Sequence, residues 1–220
     1  MTQTSSDDKP VIWYTKWMTG GDTHISFDYR CPGGFPSRLE FSRATMSCRP
    51  TDESNAPEFV FFSRHDKIKA SCRDAFSITG GVLVCSPAFR DVLIRFDLGS
   101  SRLYEVPIYR DENKTPSGIA PHYVLHMTEG KLGCFVPEES SGVEQMRHPL
   151  DKIAKPGNPW REALDQDVQL AIRADAAQGA DLWCDPKLRN RIFLSDRLAR
   201  AVKEAGLKSP AFRFVRAKVV

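Results

Sequence analysis

Apolar and polar positions along the chain fall into an arrangement that occurs twice. Residues 82–108 and 191–217 align without a gap at an offset of 109. In each copy a short apolar run, Val82-Leu83-Val84 or Ile192-Phe193-Leu194, meets a serine, Ser86 or Ser195, that opens an amphipathic stretch. Phe89, Val92, Leu93 and Phe96 stand at i, i+3, i+4 and i+7, and Leu198, Ala201, Val202 and Ala205 fill the same slots, the spacing of one helical face. Serine suits the position before a helix because its oxygen accepts one of the unpartnered amides of the first turn. Pro87 follows where a missing N–H costs nothing, and the Asp196 carboxylate favours the positive end of the helix dipole. A glycine signal ends each stretch, and further strands are predicted over 102–108 and 211–215. Only Ser86/Ser195, Leu98/Leu207, Ser100/Ser209 and Val106/Val215 are identical. Both a duplication and the similarity of any two serine-capped β-α-β segments fit that pattern.

Elsewhere the pattern is mainly that of strands. VIWYTKWM (11–18) and HISFDYR (24–30) predict two aromatic-rich strands joined by a turn at Gly20-Gly21-Asp22. CPGGFPSR has loop composition. RLEFSRATMSCRP alternates loosely and predicts a strand, with a second over 58–63 (EFVFFS). RHDKIKASCRDAF fits loop or helix. HYVLHM and KLGCFVP predict a strand pair around residues 128–131. The stretch 161–178 stays open, since its alanines favour helix while Val168, Leu170 and Ile172 alternate as in a strand. Together these elements predict an α+β fold of mixed or antiparallel sheets with a few helices, in two lobes that each contain one strand-helix-strand unit. The expected boundaries are a mobile tail over 1–10, an N-terminal lobe over 11–137, a linker-like segment rich in proline and polar residues over 138–159, and a C-terminal lobe over 160–220.

Composition narrows the class. With 220 residues and 41% hydrophobic positions the chain has ample material for a core. Neither an export signal nor a run of 18 uncharged apolar residues is visible, so a cytoplasmic location is expected. Six cysteines are scattered without a C-x-x-C, and reduced, mostly buried thiols are expected. The net charge of +3 is unevenly spread. Residues 187–220 hold ten Lys/Arg against Asp196 and Glu204, net +8, which leaves the remainder at −5.

No reaction chemistry assembles. His122 and His126 give H-x-x-x-H, but Tyr123 stands where a zinc protease needs glutamate. The segment also predicts a strand, where i and i+4 lie about 13 Å apart. His24, His65 and His148 sit in separate loops. Neither Ser86 nor Ser195 lies in G-x-S-x-G, no phosphate-binding glycine motif occurs, and Asp111-Glu112 and Glu138-Glu139 fall in polar loops. No catalytic, metal or cofactor-binding residue is assigned, and the protein is expected not to be an enzyme.

A resemblance gives direction. ADLWCDPKLRNRIFLSDRLARAVKEAGLKSPAFRFV, preceded by GGVLVCSPAFRDVL and HYVLHM...GCFVPEESSG, resembles immunity proteins of bacterial polymorphic toxin systems, specifically immunity family eleven, the MXAN-type immunity domain. The shared features are a strand with Trp183, the I-F-L-S strand and cap at 192–195, a helix ending at Gly206-Leu207, and a closing F-x-F-V strand. The likeness covers 75–217, most clearly 180–215, and departs at Lys208-Ser209-Pro210. It implies a strand over 168–173 and a short helical turn over 175–179. It also implies a non-catalytic, cytoplasmic protein that binds and neutralises a cognate toxin effector domain without a cofactor. Exposure and charge nominate Arg197, Arg200, Lys203, Asp111, Glu112, Glu138 and Glu139 as toxin contacts. The alternative is nucleic-acid binding through the basic C-terminal unit.

Overall fold

The apolar runs become short strands, and the two serine-led stretches become helices between them. The computed structural model describes residues 9–16, 27–62, 74–147, 157–163, 167–207, 209 and 213–220. In chain order these form β1 (Ile12–Lys16), β2 (Phe27–Arg30), α1 (Gly34–Met46), β3 (Phe59–Phe62), β4 (Ala75–Ile78), β5 (Val82–Cys85), α2 (Pro87–Leu93), β6 (Arg102–Val106), β7 (Ile108–Tyr109) and β8 (His122–His126). Then follow β9 (Val143–Gln145), β10 (Trp160–Glu162), β11 (Ala171–Ile172), β12 (Leu182–Trp183), β13 (Arg191–Ser195), α3 (Asp196–Glu204), β14 (Phe214–Arg216) and β15 (Lys218–Val219). The expectations for the tail over 1–8, for His24, His65 and His148, for the basic stretch over 64–73 and for 148–156 lie outside the described residues.

Two four-stranded sheets carry the architecture, and they follow one plan. The first has the order β4-β5-β8-β6 and the second β12-β13-β1-β14, with every neighbouring pair antiparallel. In each, the strand before the capping serine lies second, the strand after the helix lies fourth, and a strand from elsewhere fills the third place. Register refines the gapless alignment. Cys85 faces Ala75 where Leu194 faces Leu182, and Tyr123 faces Glu105 where Trp13 faces Arg216. The offset is therefore 107 in the first strand, 109 in the second and 111 in the last. Each slip of two keeps the same side chains inward, because a strand alternates with period two. Val106 corresponds to Ala217, not to Val215. Both are buried.

The caps are as the sequence predicts. The Phe89 amide donates to Ser86 Oγ at 3.2 Å, and the Leu198 amide to Ser195 Oγ at 3.3 Å. Helices α2 and α3 then pack between the inner faces of the sheets. Leu83, Cys85 and Leu125 of one sheet and Leu182, Ile192 and Leu194 of the other share a single cluster with Phe89, Leu93, Leu198 and Val202. The outer face of the first sheet packs on α1 and on a small sheet of order β2-β3-β7, with Phe27, Phe41, Val60 and Phe76 in contact. The outer face of the second sheet, including Tyr14, Trp183 and Phe193, covers Phe135, Leu170 and Ile172. This is an α+β fold with mixed and antiparallel sheets.

Four local expectations are corrected. β1 and β2 do not pair. Ile12 and Tyr14 on one side of β1 and Trp13 on the other pack into different clusters, so β1 is a central strand, flanked by β13 and β14. The strand expected in RLEFSRATMSCRP is helix α1. Its buried positions Phe41, Ser42, Ala44 and Thr45 keep helical spacing but are mostly small and polar, which hides the period. KLGCFVP does not pair with β8, whose two edges are already taken by β5 and β6. Cys48 and Cys184, 136 residues apart, form a disulfide with Cα atoms 6.3 Å apart, against the expectation of reduced thiols. Such a bond needs spatial proximity and no spacing rule in sequence. Burial pushes the free thiols of Cys31 and Cys134 up to about 11 and about 12. The open stretch 161–178 resolves towards strand, with β11 followed by a 3-10 turn at Ala174–Ala177, as the resemblance implied. Residues 164–166 lie outside the described set.

Ser86→Ala and Ser195→Ala should each lower unfolding free energy in urea by about 1 kcal/mol, the usual worth of a cap. A second outcome concerns His126, which lies 4.7 Å from the Phe41 ring, centroid to centroid. Burial, against a hydrogen bond to the Arg49 backbone, brings its pKa down from 6.5 to about 4. The unfolded chain therefore binds the proton first as pH falls. The stabilisation is complete above pH 6.5 and is lost towards pH 4, by at most about 1.4 kcal/mol per pH unit. His126→Leu should flatten that slope in urea titrations between pH 7 and 4.5.

Candidate partner-binding surface

Two aspartates join each unit to its cap. Asp74 and Asp181 stand just before β4 and β12. Ser86 donates its amide to the Asp74 carbonyl at 2.8 Å and its hydroxyl to Asp74 Oδ1 at 3.1 Å, and Ser195 does the same to Asp181 at 2.9 and 2.5 Å. Asp181 is only 1% exposed, yet it also accepts the Asp97 amide at 3.0 Å and both prongs of the Arg197 guanidinium at 2.5 Å. Burial acts to raise its carboxyl, but the bonds from Arg197, Ser195 and Asp97 outweigh it and hold it below the ordinary carboxylate value. The Asp181 amide returns a bond to the Asp97 carbonyl at 2.6 Å, and Ser209 Oγ donates to the Ala75 carbonyl at 2.6 Å. The loop behind each helix is thus fastened to the first strand of the other sheet.

The residues nominated as toxin contacts fall in three neighbourhoods. Arg197, Arg200 and Lys203 share α3, and each is engaged. Arg197 holds Asp181, Arg200 pairs with Asp196 at 2.5 Å, and Lys203 Nζ sits 3.6 Å from the Trp13 ring centroid. Trp13 Nε1 in turn donates to Asp196 at 2.8 Å. Asp111 and Glu112 follow β7. Asp111 Oδ1 accepts the amides of Asn113 and Thr115, and Glu112 pairs with Arg30. Glu138 and Glu139 lie in a 3-10 turn, Pro137–Glu139, where Lys218 pairs with Glu139 at 2.7 Å and lowers its carboxyl. His122 and His126 occupy one side of β8 against Phe76 and Phe41, and neither Nε2 has a partner among the described residues.

A fourth place escaped the sequence reading. Residues 130–135 leave β8 as a loop fixed at both ends. Lys131 Nζ donates to the carbonyls of Ala176 and Gln178 at 2.7 Å each and of Ala180 at 3.3 Å, and lies 4.1 Å from the Trp183 ring centroid. Fully buried Asp185 accepts the Gly133 and Phe135 amides at 3.0 and 2.9 Å. Leu132, between these anchors, is 71% exposed. Beside it opens a cleft of about 420 Å³ lined by residues 131–134, Arg173 and Asp175. In a strand Leu132 and Cys134 would share a face. Gly133, at φ +81°, turns the chain so that only Cys134 is buried. The L-G pair was the available signal.

No helix among the described residues is long and apolar enough to cross a membrane. A family model described as Immunity protein family (Imm11) matches residues 5–217, nearly the whole chain. The chain belongs to that family. The Imm11 match reaches well beyond the 75–217 covered by the sequence resemblance and includes β1, in keeping with that strand's place inside the second sheet. No curated protein matches the chain. An Imm11 protein has a toxin as its partner in general, and what matters in this one is its surface.

The Asp181 centre should be asymmetric to mutation. Asp181→Ala leaves the Ser195 hydroxyl and the Asp97 amide without their acceptor and should cost about 3 kcal/mol in urea unfolding. Arg197→Ala takes the counter-charge from a carboxylate that Ser195 and the Asp97 amide still hold, and should cost less, about 2 kcal/mol.

Proposed function

We propose that this chain is a non-catalytic inhibitor that binds the cognate effector domain of a polymorphic toxin system in the cytoplasm of the bacterium producing it, and neutralises that domain by occlusion without a cofactor. The observation carrying this reading is the Imm11 match over residues 5–217. The use made of the buried polar groups supports it. Asp181 and Asp185 receive hydrogen bonds from the loops around them, and Arg191 forms a buried ion pair with Glu162. These groups hold loops in place, which suits a protein acting through the shape of its surface.

Among the nominated contacts, Glu138 and Glu139 are exposed on the run of chain that continues from the Leu132 loop, while Asp111 and Glu112 follow β7. We take all four, with Arg197, Arg200 and Lys203, as candidate toxin contacts. Binding of nucleic acid through the basic C-terminal unit is less favoured. Arg197, Arg200 and Lys218 already pair with carboxylates, and Arg191 is buried, which weakens the field a phosphate backbone would meet.

Co-expression with the product of an adjoining toxin-bearing gene tests the reading. Growth should be restored and the two proteins should co-purify as a stoichiometric complex. Failure of both rescue and binding would sink the proposal. Tight retention on DNA or RNA that falls steeply with salt would favour the alternative.

A further inference from the structure

An exposed leucine on a mobile loop means little, but Leu132 is not on one. Its neighbour Lys131 loses hydration to reach three carbonyls and the face of Trp183, and burial lowers its pKa from the ordinary lysine value. On the other side a fully buried carboxylate, Asp185, is committed to the Gly133 and Phe135 amides, and the Lys131 amide itself donates to the Cys184 carbonyl at 2.9 Å. Two desolvated charges therefore grip the backbone on either side of one residue whose apolar side chain is left in water. A backbone held in a single place loses little conformational freedom when a partner covers the side chain it presents, which is the condition for a small apolar contact to contribute strongly to binding.

Charge around the loop selects the kind of partner. Arg173 pairs with Asp175 at 2.8 Å in the wall of the cleft. On β15, which pairs with β11 next to Arg173, Lys218 pairs with Glu139 at 2.7 Å. Lys131 is half-buried, with its ammonium committed to three carbonyls. Arg173 and Lys218 are thus matched by carboxylates and Lys131 is turned inward, which leaves little free positive charge beside Leu132. A phosphate backbone or an anionic membrane would find no excess positive charge there. A folded protein surface with an apolar pocket and a rim of neutral hydrogen-bonding groups would find both its apolar anchor and its matching edge.

We propose that Leu132 and the adjoining cleft form the toxin-contact surface, Leu132 seating in an apolar pocket of side-chain size on the toxin domain. This rests on the immunity reading above, whose partner it describes.

The test uses the full chain and the purified toxin domain encoded beside it. Leu132→Asp should leave the thermal midpoint unchanged, since the side chain packs into no core, and weaken toxin binding about thirtyfold, the scale of a hot-spot loss. A loss below tenfold overturns the proposal. Wild-type affinity should change less than tenfold between 50 and 500 mM NaCl, and a larger fall overturns the neutral-rim argument. If the free protein self-associates and Leu132→Asp abolishes that, the occupant is a second copy and the proposal fails. The two readings separate cleanly. Wild type that binds and protects while Leu132→Asp does so equally well removes only this surface, whereas wild type that neither binds nor protects removes both.

Discussion

The insertion of β1 between β13 and β14 is the contact on which the rest of the second sheet depends. Five residues bridge two strands that do not hydrogen-bond to each other, with Tyr14 facing Phe193 on one side and Val215 on the other. The side chains of β1 then reach in both directions. Trp13 lies under α3, donating to Asp196 and carrying Lys203 on its ring, while the Tyr14 hydroxyl donates to the Val168 carbonyl in the outer layer at 3.0 Å. Remove this strand and the sheet, its helix and the layer outside it lose their common partner. A match of the Imm11 model that begins at residue 5 includes the strand that needs to be there.

Much of this was legible in the chain. The serine caps, the helices they open and the strands beside them follow from local chemistry, because a cap is an interaction within four residues. Strand pairing was not legible. β1 and β2 are close in sequence and similar in composition, yet each belongs to a different sheet, and an apolar pattern identifies a buried strand without naming its neighbour. Helix α1 was hidden because its buried side includes Ser42 and Thr45, polar residues that find partners or space only in the folded state. Leu132 was hidden for the opposite reason. It looks like a core residue in a strand, and only the turn at Gly133 shows that it points away from the core.

The buried charges follow a common logic. Asp181 is held by amides, a hydroxyl and a guanidinium, Asp185 by three amides, and Arg191 by Glu162. Burying a charge is costly unless its bonds are complete, and complete bonds have strict geometry. The gain is definition more than stability. Loops that cross between the sheets are held where they are, and the shape presented to a partner is fixed before the partner arrives. Part of the basic surplus of the C-terminal unit is matched by carboxylates from the rest of the chain, since Arg191, Arg197 and Lys218 pair with Glu162, Asp181 and Glu139.

The two sheets fill their third position from opposite directions along the chain. In the first sheet β8 comes after the strands it joins, and in the second β1 comes before them by most of the chain, with Trp13 and Asp196 separated by 183 residues. On a ribosome the four strands of the first sheet are all available once residue 126 has emerged. β1, although made before them, has no sheet to enter until residues 191–216 follow. Its aromatic side chains must be shielded from wrong contacts through most of synthesis. A working molecule therefore first exists only once β14 has been made, and a cell that needs it before its partner becomes active would have to begin making it early.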